Sequence, residues 1–153
     1  MVSMKNLLKP DYYFKSLYDI DINWLKELNI KNLILDIDNT LVSWGTKQID
    51  ERGQMFINNL LKEGFRVCLL SNSSSKRVKN FINNELILYY TGFGIKPMKI
   101  KFLGALKLFD NKIDETCVIG DQIFTDILGG KRVGIKTILV DPIDSKEFLQ
   151  LSF

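Results

Sequence analysis

The chain has 153 residues, of which 46% are hydrophobic and 25% are charged, and this composition is typical of a globular protein and excludes a largely disordered one. It contains no histidine, which excludes Ser-His-Asp triads, Cys-His dyads and zinc sites of the HExxH type. A net charge of +3 is too small to indicate nucleic-acid binding, so we expect no nucleic-acid partner. An enzyme with this sequence must use carboxylates, hydroxyls, lysines or a metal held by oxygen ligands.

The positive charge is concentrated in the middle of the chain. Residues 71–107 contain seven basic residues and Glu85 as their one acidic residue, which gives a net charge of +6. Solvated helix faces and a surface that attracts an anionic partner both explain such a block.

Cysteine usage and hydropathy indicate the compartment. Cys68 and Cys117 each lie in a strand-like apolar run, so we expect buried thiols. Two cysteines without a secretory signal are typical of a reducing compartment. No run approaches the ~18 apolar residues of a membrane span. We therefore predict a cytoplasmic protein with no transmembrane segment, and peripheral contact with the inner membrane face stays open.

Residues 1–30 carry apolar side chains at roughly helical spacing, among them Phe14, Leu17, Trp24 and Leu28. This spacing predicts two short helices. Their apolar faces have two possible uses, packing against the remainder of the domain or lying on a membrane surface.

From residue 31 onward, short apolar runs alternate with amphipathic segments, which predicts strands and helices in turn. The predicted strands cover residues 33–35, 66–70, 86–90, 117–119 and 135–140. The predicted helices run from Asp50 to Gly64, from Ser74 or Ser75 to Phe81, from Pro97 to Phe109, and from beyond Asp121 to a stop near Gly129 and Gly130. The alternation indicates an α/β protein with a parallel sheet and helices on both faces. We predict one domain over 1–153, with 1–30 as a helical extension and 31–142 as the core.

Three predicted strands end in a reactive or hydrogen-bonding side chain, namely Asp36, Ser71 and Asp121. Lys96 lies just before the helix that follows the third strand. Ligands bind outside the carboxyl ends of the strands in open α/β sheets. We therefore expect these four side chains to converge above one crevice.

Asp36 and Asp38 follow a buried strand directly, where two carboxylates are costly unless something pairs with them. One interpretation is a turn in which the side chains bond to local amides. The other is a cation shared between Asp36 and Asp121. Magnesium needs few carboxylates and keeps several waters, so two aspartates and a backbone oxygen suffice.

These residue types suit phosphoryl transfer. A carboxylate such as Asp36 can attack phosphorus, and a neighbour such as Asp38 can protonate the leaving oxygen and then activate water. Lys96, the Ser71 hydroxyl and amides near Asn72 can neutralise or bond the phosphoryl oxygens. Helix capping by Ser71 and Asn72, and an ordinary exposed Lys96, are the alternatives.

The order of these motifs resembles that of the haloacid-dehalogenase (HAD) phosphohydrolases, over residues 33–140. In detail the chain is most similar to the class IIIA, YqeG-type branch, which is related to phosphatidylglycerophosphate phosphatases. The matching stretches are Leu-Asp-Ile-Asp-Asn-Thr-Leu-Val (35–42), Ser-Asn-Ser-Ser-Ser-Lys-Arg-Val (71–78), Lys-Pro (96–97) and Gly-Asp-Gln-Ile-Phe-Thr-Asp-Ile-Leu-Gly-Gly (120–130).

The resemblance implies a role for each matching residue and a strand order of 5-4-1-2-3 for the catalytic core. Asp36 is the implied nucleophile and Asp38 the acid/base, which favours a phosphatase over a dehalogenase. Mg²⁺ is expected on Asp36, the Asp38 carbonyl and Asp121. Asp126 is expected to support these ligands without binding the metal directly. The residues expected to contact the phosphate-ester substrate are Thr40, Ser71, Asn72 and Lys96.

The intervals between the motifs are too short for a cap domain, so we predict an open site. Residues 41–49, with Trp44, form either a small flap or a packed loop. The function we expect is hydrolysis of phosphatidylglycerophosphate, with its lipid head group. A soluble phosphate ester is the alternative substrate, and a HAD-like binding module is the alternative of another class.

Overall fold

A computed structural model describes residues 3–144, and its centre is one sheet of six parallel strands in the order β1-β6-β5-β2-β3-β4. The strands are β1 Tyr12–Phe14, β2 Asn32–Leu35, β3 Arg66–Leu69, β4 Leu88–Tyr89, β5 Thr116–Gly120 and β6 Lys136–Val140. The five strands β2 to β6 follow the order 5-4-1-2-3 that the resemblance implies. The α/β fold class is therefore confirmed.

Within residues 3–144, six α-helices connect and cover these strands: α1 Met4–Leu7, α2 Ile22–Glu27, α3 Glu51–Lys62, α4 Ser75–Asn80, α5 Lys99–Leu108 and α6 Leu128–Val133. One π-helical turn, Ile123–Ile127, precedes α6. The predicted caps hold for α3 and α4, where Asp50 and Ser74 accept bonds from amides of the first turn. No cap domain interrupts residues 3–144, because α3 and α4 fill the two intervals between motifs.

The core lies on both faces of the sheet. Leu33 and Leu35 of β2 face one apolar cluster, whereas Ile34 faces the other, together with Phe102 of α5. This alternation follows from the two-residue period of a strand. Cys68 and Cys117 are both buried as free thiols, as predicted. Burial raises the pKa of the Cys68 thiol to about 12.

The N-terminal prediction of two helices is wrong in part, because residues 12–14 form the edge strand β1, which pairs in parallel with β6. Aromatic packing explains this strand: Tyr12 and Phe14 place their ring centroids 4.8 and 5.0 Å from that of Trp24 in α2. Leu17 and Leu25 are fully buried in the core. The first alternative, packing against the sheet, is therefore what these residues do.

Asp11 anchors β1 to β6. Its carboxylate accepts hydrogen bonds from the Thr137 backbone amide and hydroxyl, and it pairs with Lys131. Burial alone would raise the pKa of Asp11, but the bonds from Lys131 and Thr137 and the charge of Lys131 lower it overall. The ionised form therefore stabilises the fold at any pH above about 4, the ordinary pKa of aspartate, and this contribution fades as the pH falls through the lower pKa of the folded state.

We expect Asp11→Asn to lower the free energy of unfolding at pH 7, with a difference from the wild type that shrinks as the pH approaches 3. Urea unfolding of both proteins at the two pH values measures this. An equal difference at both would contradict the role assigned to the Asp11 charge.

The predicted end of the helix after β5, near Gly129 and Gly130, is wrong. The helix continues to Val133 and ends at Gly134, whose φ is +84°. The two glycines have a packing role instead. A Cβ on Gly129 would lie 2.0 Å from the Phe102 ring, and one on Gly130 would lie 2.6 Å from Val118. The two glycines thus let α6 approach both α5 and β5 closely. They lie inside the helix, although glycine is more often found at a helix end.

Two further boundaries differ from the predictions. Strand β4, predicted over 86–90, is limited to Leu88–Tyr89, and Leu86 is exposed and unpaired in the sheet. Helix α5 begins at Lys99, with Pro97 ahead of its first turn and Met98 as an exposed N-cap residue. Among the described residues, no helix has the length and hydropathy needed to cross a membrane.

Candidate active site

The four side chains predicted to converge do so at the carboxyl edge of the sheet. Asp36, Ser71 and Asp121 directly or closely follow β2, β3 and β5, and Lys96 comes from the loop between β4 and α5. A cavity of about 350 Å³ opens there. It is lined by Asp36, Asp38, Trp44, Ser71, Asn72, Ser73, Lys96, Gln122 and Thr125.

Lys96 is the cation at the floor of this cavity, and it is 4% exposed, so it is not an ordinary surface lysine. Its Nζ donates to Asp36 Oδ1 at 2.8 Å and to Asp126 Oδ1 at 2.6 Å. Burial alone would lower the pKa of Lys96, but the charges of Asp126 and Asp36 raise it above its usual value. The ammonium group is therefore held as a fixed positive charge beside Asp36.

Three carboxyl groups lie close together here, and two of them, those of Asp36 and Asp126, pair with Lys96. Asp36, Asp121 and Asp126 each place an oxygen within 4.8 Å of the others. Burial, followed by the charge of Asp36, raises the pKa of Asp121 to about 9 and that of Asp126 to about 7. The three carboxyl groups therefore resist ionising together beside one lysine, and a further cation would be needed to hold them all in the ionised form. A divalent cation with a preference for oxygen ligands fits this donor set.

Thr40 lies behind these carboxylates and is itself buried. Its hydroxyl oxygen is 3.2 Å from Asp36 Oδ2 and 3.0 Å from Asp121 Oδ1. A hydroxyl has one hydrogen to donate, so it can serve one of the two oxygens at a time. Thr40 is outside the cavity lining, and its contacts are those of a residue that orients the carboxylates.

Asp38 has a partner that the sequence analysis missed. Arg77 of α4 donates from Nη1 to Asp38 Oδ2 and from Nη2 to Asp38 Oδ1, both at 2.6 Å. This pair of bonds is the main cause of the raised pKa of Arg77, so the guanidinium stays charged. In the sequence, Arg77 is one member of the basic block. Its position one turn after Ser73 is the one local feature that could have indicated its place beside the cavity. The carboxylates of Asp36 and Asp38 are thus held by Lys96 and Arg77, not by local amides.

Ser71 and Asn72 hold the loops that surround the cavity. The Ser71 hydroxyl accepts a bond from the Ser73 amide at 3.0 Å. The Asn72 side chain accepts from the Lys96 amide at 2.7 Å and donates to the Lys96 carbonyl at 3.2 Å. The capping alternative does not apply, because Ser74 caps α4. Asn72 therefore fixes the backbone on which Lys96 is carried.

Residues 41–49 combine features of a packed loop and a flap. Leu41, Val42 and Ile49 are buried at its two ends, whereas Trp44 is 60% exposed at the mouth of the cavity. The Thr46 carbonyl accepts a bond from Arg77 Nη2 at 3.1 Å. The loop is thereby attached to the same arginine as Asp38.

Asp126 is placed by the π-helical turn at the start of the helix after β5. Besides Lys96, it accepts a bond from the Gln122 amide at 3.3 Å through Oδ2. A Cβ on Gly120 would lie 2.2 Å from the Asp126 carboxylate, so glycine is needed for this approach. Asp126 therefore belongs to the acidic cluster, and its two carboxyl oxygens are held by Lys96 and by the Gln122 amide.

The chain is similar in sequence to known proteins. A family model described as HAD-hydrolase-like matches residues 95–142. The chain is 36% identical over 144 residues to the probable phosphatase YqeG of Bacillus subtilis strain 168, which covers 94% of this chain and 83% of that protein. The chain belongs to the HAD-like phosphatases. A shorter stretch of 88 residues is 30% identical to glyceraldehyde 3-phosphate phosphatase of Pyrococcus furiosus, over 52% of this chain and 36% of that protein.

Solved structures show the same HAD-like fold. HAD family enzyme BT-2542 of Bacteroides thetaiotaomicron, crystallised as a magnesium complex, superposes with a TM-score of 0.57 at 14% identity, over 80% of this chain and 98% of that one. A HAD-like family hydrolase from Porphyromonas gingivalis gives a TM-score of 0.55, also at 14% identity and with the same coverage. These structures show the fold, whereas the 36% identity to the probable phosphatase YqeG shows an enzyme, a phosphatase of the HAD type. The binding-module alternative thereby loses its support.

Proposed function

We propose that this HAD-like phosphatase hydrolyses phosphate monoesters with Mg²⁺ through an aspartyl-phosphate on Asp36, in one catalytic domain. The observation that carries the proposal is the Asp36 carboxylate at the cavity floor, 2.8 Å from a buried ammonium group and within the three-carboxylate cluster. A binding site needs no such nucleophile, and a buried cluster of this kind is costly to maintain.

In the first half of the reaction, an Asp36 oxygen bonds to phosphorus while the bond from phosphorus to the leaving oxygen breaks. Asp38 gives a proton to that oxygen. Lys96 and the Ser71 hydroxyl stabilise the charge on the phosphoryl oxygens, and Asn72 keeps Lys96 in place. In the second half, Asp38 takes a proton from water as the water oxygen bonds to phosphorus and the acyl-phosphate bond breaks.

Mg²⁺ would be held by Asp36, the Asp38 carbonyl and Asp121, with Asp126 in the same cluster. The close grouping of these three carboxyl oxygens supports a divalent ion, as does the magnesium complex of the related-fold enzyme BT-2542. When bound, the ion neutralises charge on the transferring phosphoryl group.

The substrate we propose is phosphatidylglycerophosphate, reached from the inner membrane face by a cytoplasmic enzyme. Its support is the motif resemblance together with an uncapped cavity whose rim exposes Trp44. Phe93, on the loop after β4, and Phe124, in the π-helical turn after β5, are also exposed at this edge. Exposed aromatic side chains and the nearby lysines of the basic block suit an anionic lipid surface.

A soluble phosphate ester is the second candidate. The similarity to a protein named for hydrolysis of glyceraldehyde 3-phosphate supports it, although that protein shares 36% of its length with this chain.

One assay tests both candidates. Phosphate release is measured from vesicles containing phosphatidylglycerophosphate and from a panel of soluble sugar phosphates and nucleotides, with Mg²⁺ and with a chelator. We expect Mg²⁺-dependent release, fastest from the vesicles. Release from the soluble esters alone would replace the lipid with a soluble substrate, and no release from any ester would overturn the proposed function.

A further inference from the structure

Arg77 joins two loops at the wall of the cavity, and it contacts one of them at two points. Its guanidinium donates to both oxygens of Asp38, to Ser73 Oγ at 2.6 Å and to the Thr46 carbonyl at 3.1 Å. Its charged end also lies 5.1 Å from the centroid of the Phe81 ring on the same helix. The acceptors thus come from the loop after β2, at two points, and from the loop after β3.

The two-pronged contact fixes the orientation of the Asp38 side chain. A guanidinium presents its donors in a rigid plane that matches a carboxylate, which a lysine cannot reproduce. The pair is only partly exposed, with 14% of the Asp38 side chain and 29% of the Arg77 side chain accessible. Partial burial reduces the screening of this ion pair by solvent.

The proton transfer assigned to Asp38 gives this geometry a consequence. When Asp38 donates its proton to the leaving oxygen, negative charge develops on the Asp38 carboxyl group, directly against the Arg77 guanidinium. That attraction is stronger in the transition state than before it, and interactions of this kind accelerate a chemical step. Before the transfer, the protonated carboxyl still has an acceptor oxygen for Arg77.

We infer that Arg77 is the positioning residue for Asp38, holding its carboxyl group towards the leaving oxygen and coupling it to the loop that carries Trp44. The inference rests on the proposed function, because it uses the proton that Asp38 supplies in the first half of the reaction. Arg77 acts through Asp38 and has no assigned contact with the phosphoryl group.

The test compares two substrates that differ in their need for a proton. The p-nitrophenolate group leaves readily without one, whereas phenolate is the poorer leaving group. The value of kcat/KM is measured with Mg²⁺ on p-nitrophenyl phosphate and on phenyl phosphate for the wild type, Arg77→Ala, Arg77→Lys, Asp38→Asn and the double variant Arg77→Ala/Asp38→Asn. Arg52→Ala is the matched control, since Arg52 also lies over an aromatic ring, that of Tyr18, at 4.0 Å, and is outside the cavity.

We expect Arg77→Ala to lower kcat/KM on phenyl phosphate about tenfold more than on p-nitrophenyl phosphate, which is part of the 10²- to 10⁴-fold effect of a general acid. Arg77→Lys should lie between Arg77→Ala and the wild type, and Arg52→Ala should match the wild type. In the Asp38→Asn background, loss of Arg77 should add little, because the two residues act as a unit.

Equal losses on both substrates, or a full additional loss in the double variant, would overturn the inference and leave Arg77 with a purely structural role. If Arg77→Ala does not fold, the substrate ratio of Arg77→Lys decides, since this variant keeps the charge. A wild type that releases no phosphate from these two substrates or from any ester of the panel above would instead overturn the proposed function.

Discussion

Replacing Asp36 by asparagine should abolish phosphate release, with a loss of about 10⁴-fold or more in kcat, the size found when a nucleophilic unit is removed. Asparagine keeps the shape of the side chain but cannot form an acyl-phosphate. The loss should not come from unfolding, because the substitution also removes repulsion between Asp36 and the neighbouring Asp121 and Asp126.

Phosphate release by wild type and Asp36→Asn measures this effect, on whichever ester of the panel the wild type hydrolyses fastest. Asp114→Asn is the control, since Asp114 is an exposed acid in the turn before β5, at the opposite edge of the sheet. Residual activity within tenfold of the wild type would mean that another group attacks phosphorus.

The second large effect is on stability, and it depends on the metal. Mg²⁺ at about 100 times its Kd should stabilise the wild type by about 2.7 kcal/mol, which raises the Tm by about 5–10 °C in a domain of this size. Asp121→Asn removes one carboxylate of the cluster and should lose most of that rise. Without divalent ions the order should reverse, with the variant at least as stable as the wild type. The pKa of Asp121 is raised on folding, so its carboxyl group destabilises the fold at neutral pH, and asparagine does not titrate.

Thermal unfolding of both proteins in a chelator and in Mg²⁺ tests this reversal. NaCl at matched ionic strength controls for general screening of charge. An equal rise in Tm for both proteins, or none for the wild type, would contradict a metal site at Asp36, Asp121 and Asp126.

The position of the site could be predicted from the sequence because parallel strands all end at one edge of a sheet. Side chains that follow a strand directly, such as Asp36 and Ser71, must meet there whatever the surrounding loops do. The five core strands were predictable for a related reason: buried parallel strands appear as short, continuous apolar runs.

Other features depend on contacts between distant residues and leave little trace in the local sequence. The position of Arg77 one turn after Ser73 is the one local indication of its role, and it does not identify Asp38, 39 residues away, as the partner. The edge strand β1 has three residues, which is too short for its apolar pattern to distinguish a strand from a helix. Its contacts with Trp24, and those of Asp11 with Thr137, decide the conformation. Gly129 resembles a helix end until the Phe102 ring is placed against it.

The covalent intermediate on Asp36 is the claim on which the mechanism depends. Turnover of p-nitrophenyl phosphate, whose leaving group departs easily, favours accumulation of the phosphorylated enzyme. Rapid acid quenching followed by mass spectrometry of the peptides should find one phosphoryl group on Asp36, removable by hydroxylamine, and none in Asp36→Asn. A phosphoryl group on Ser71 that resists hydroxylamine, or single-turnover release at the wild-type rate with no labelled peptide, would contradict the account.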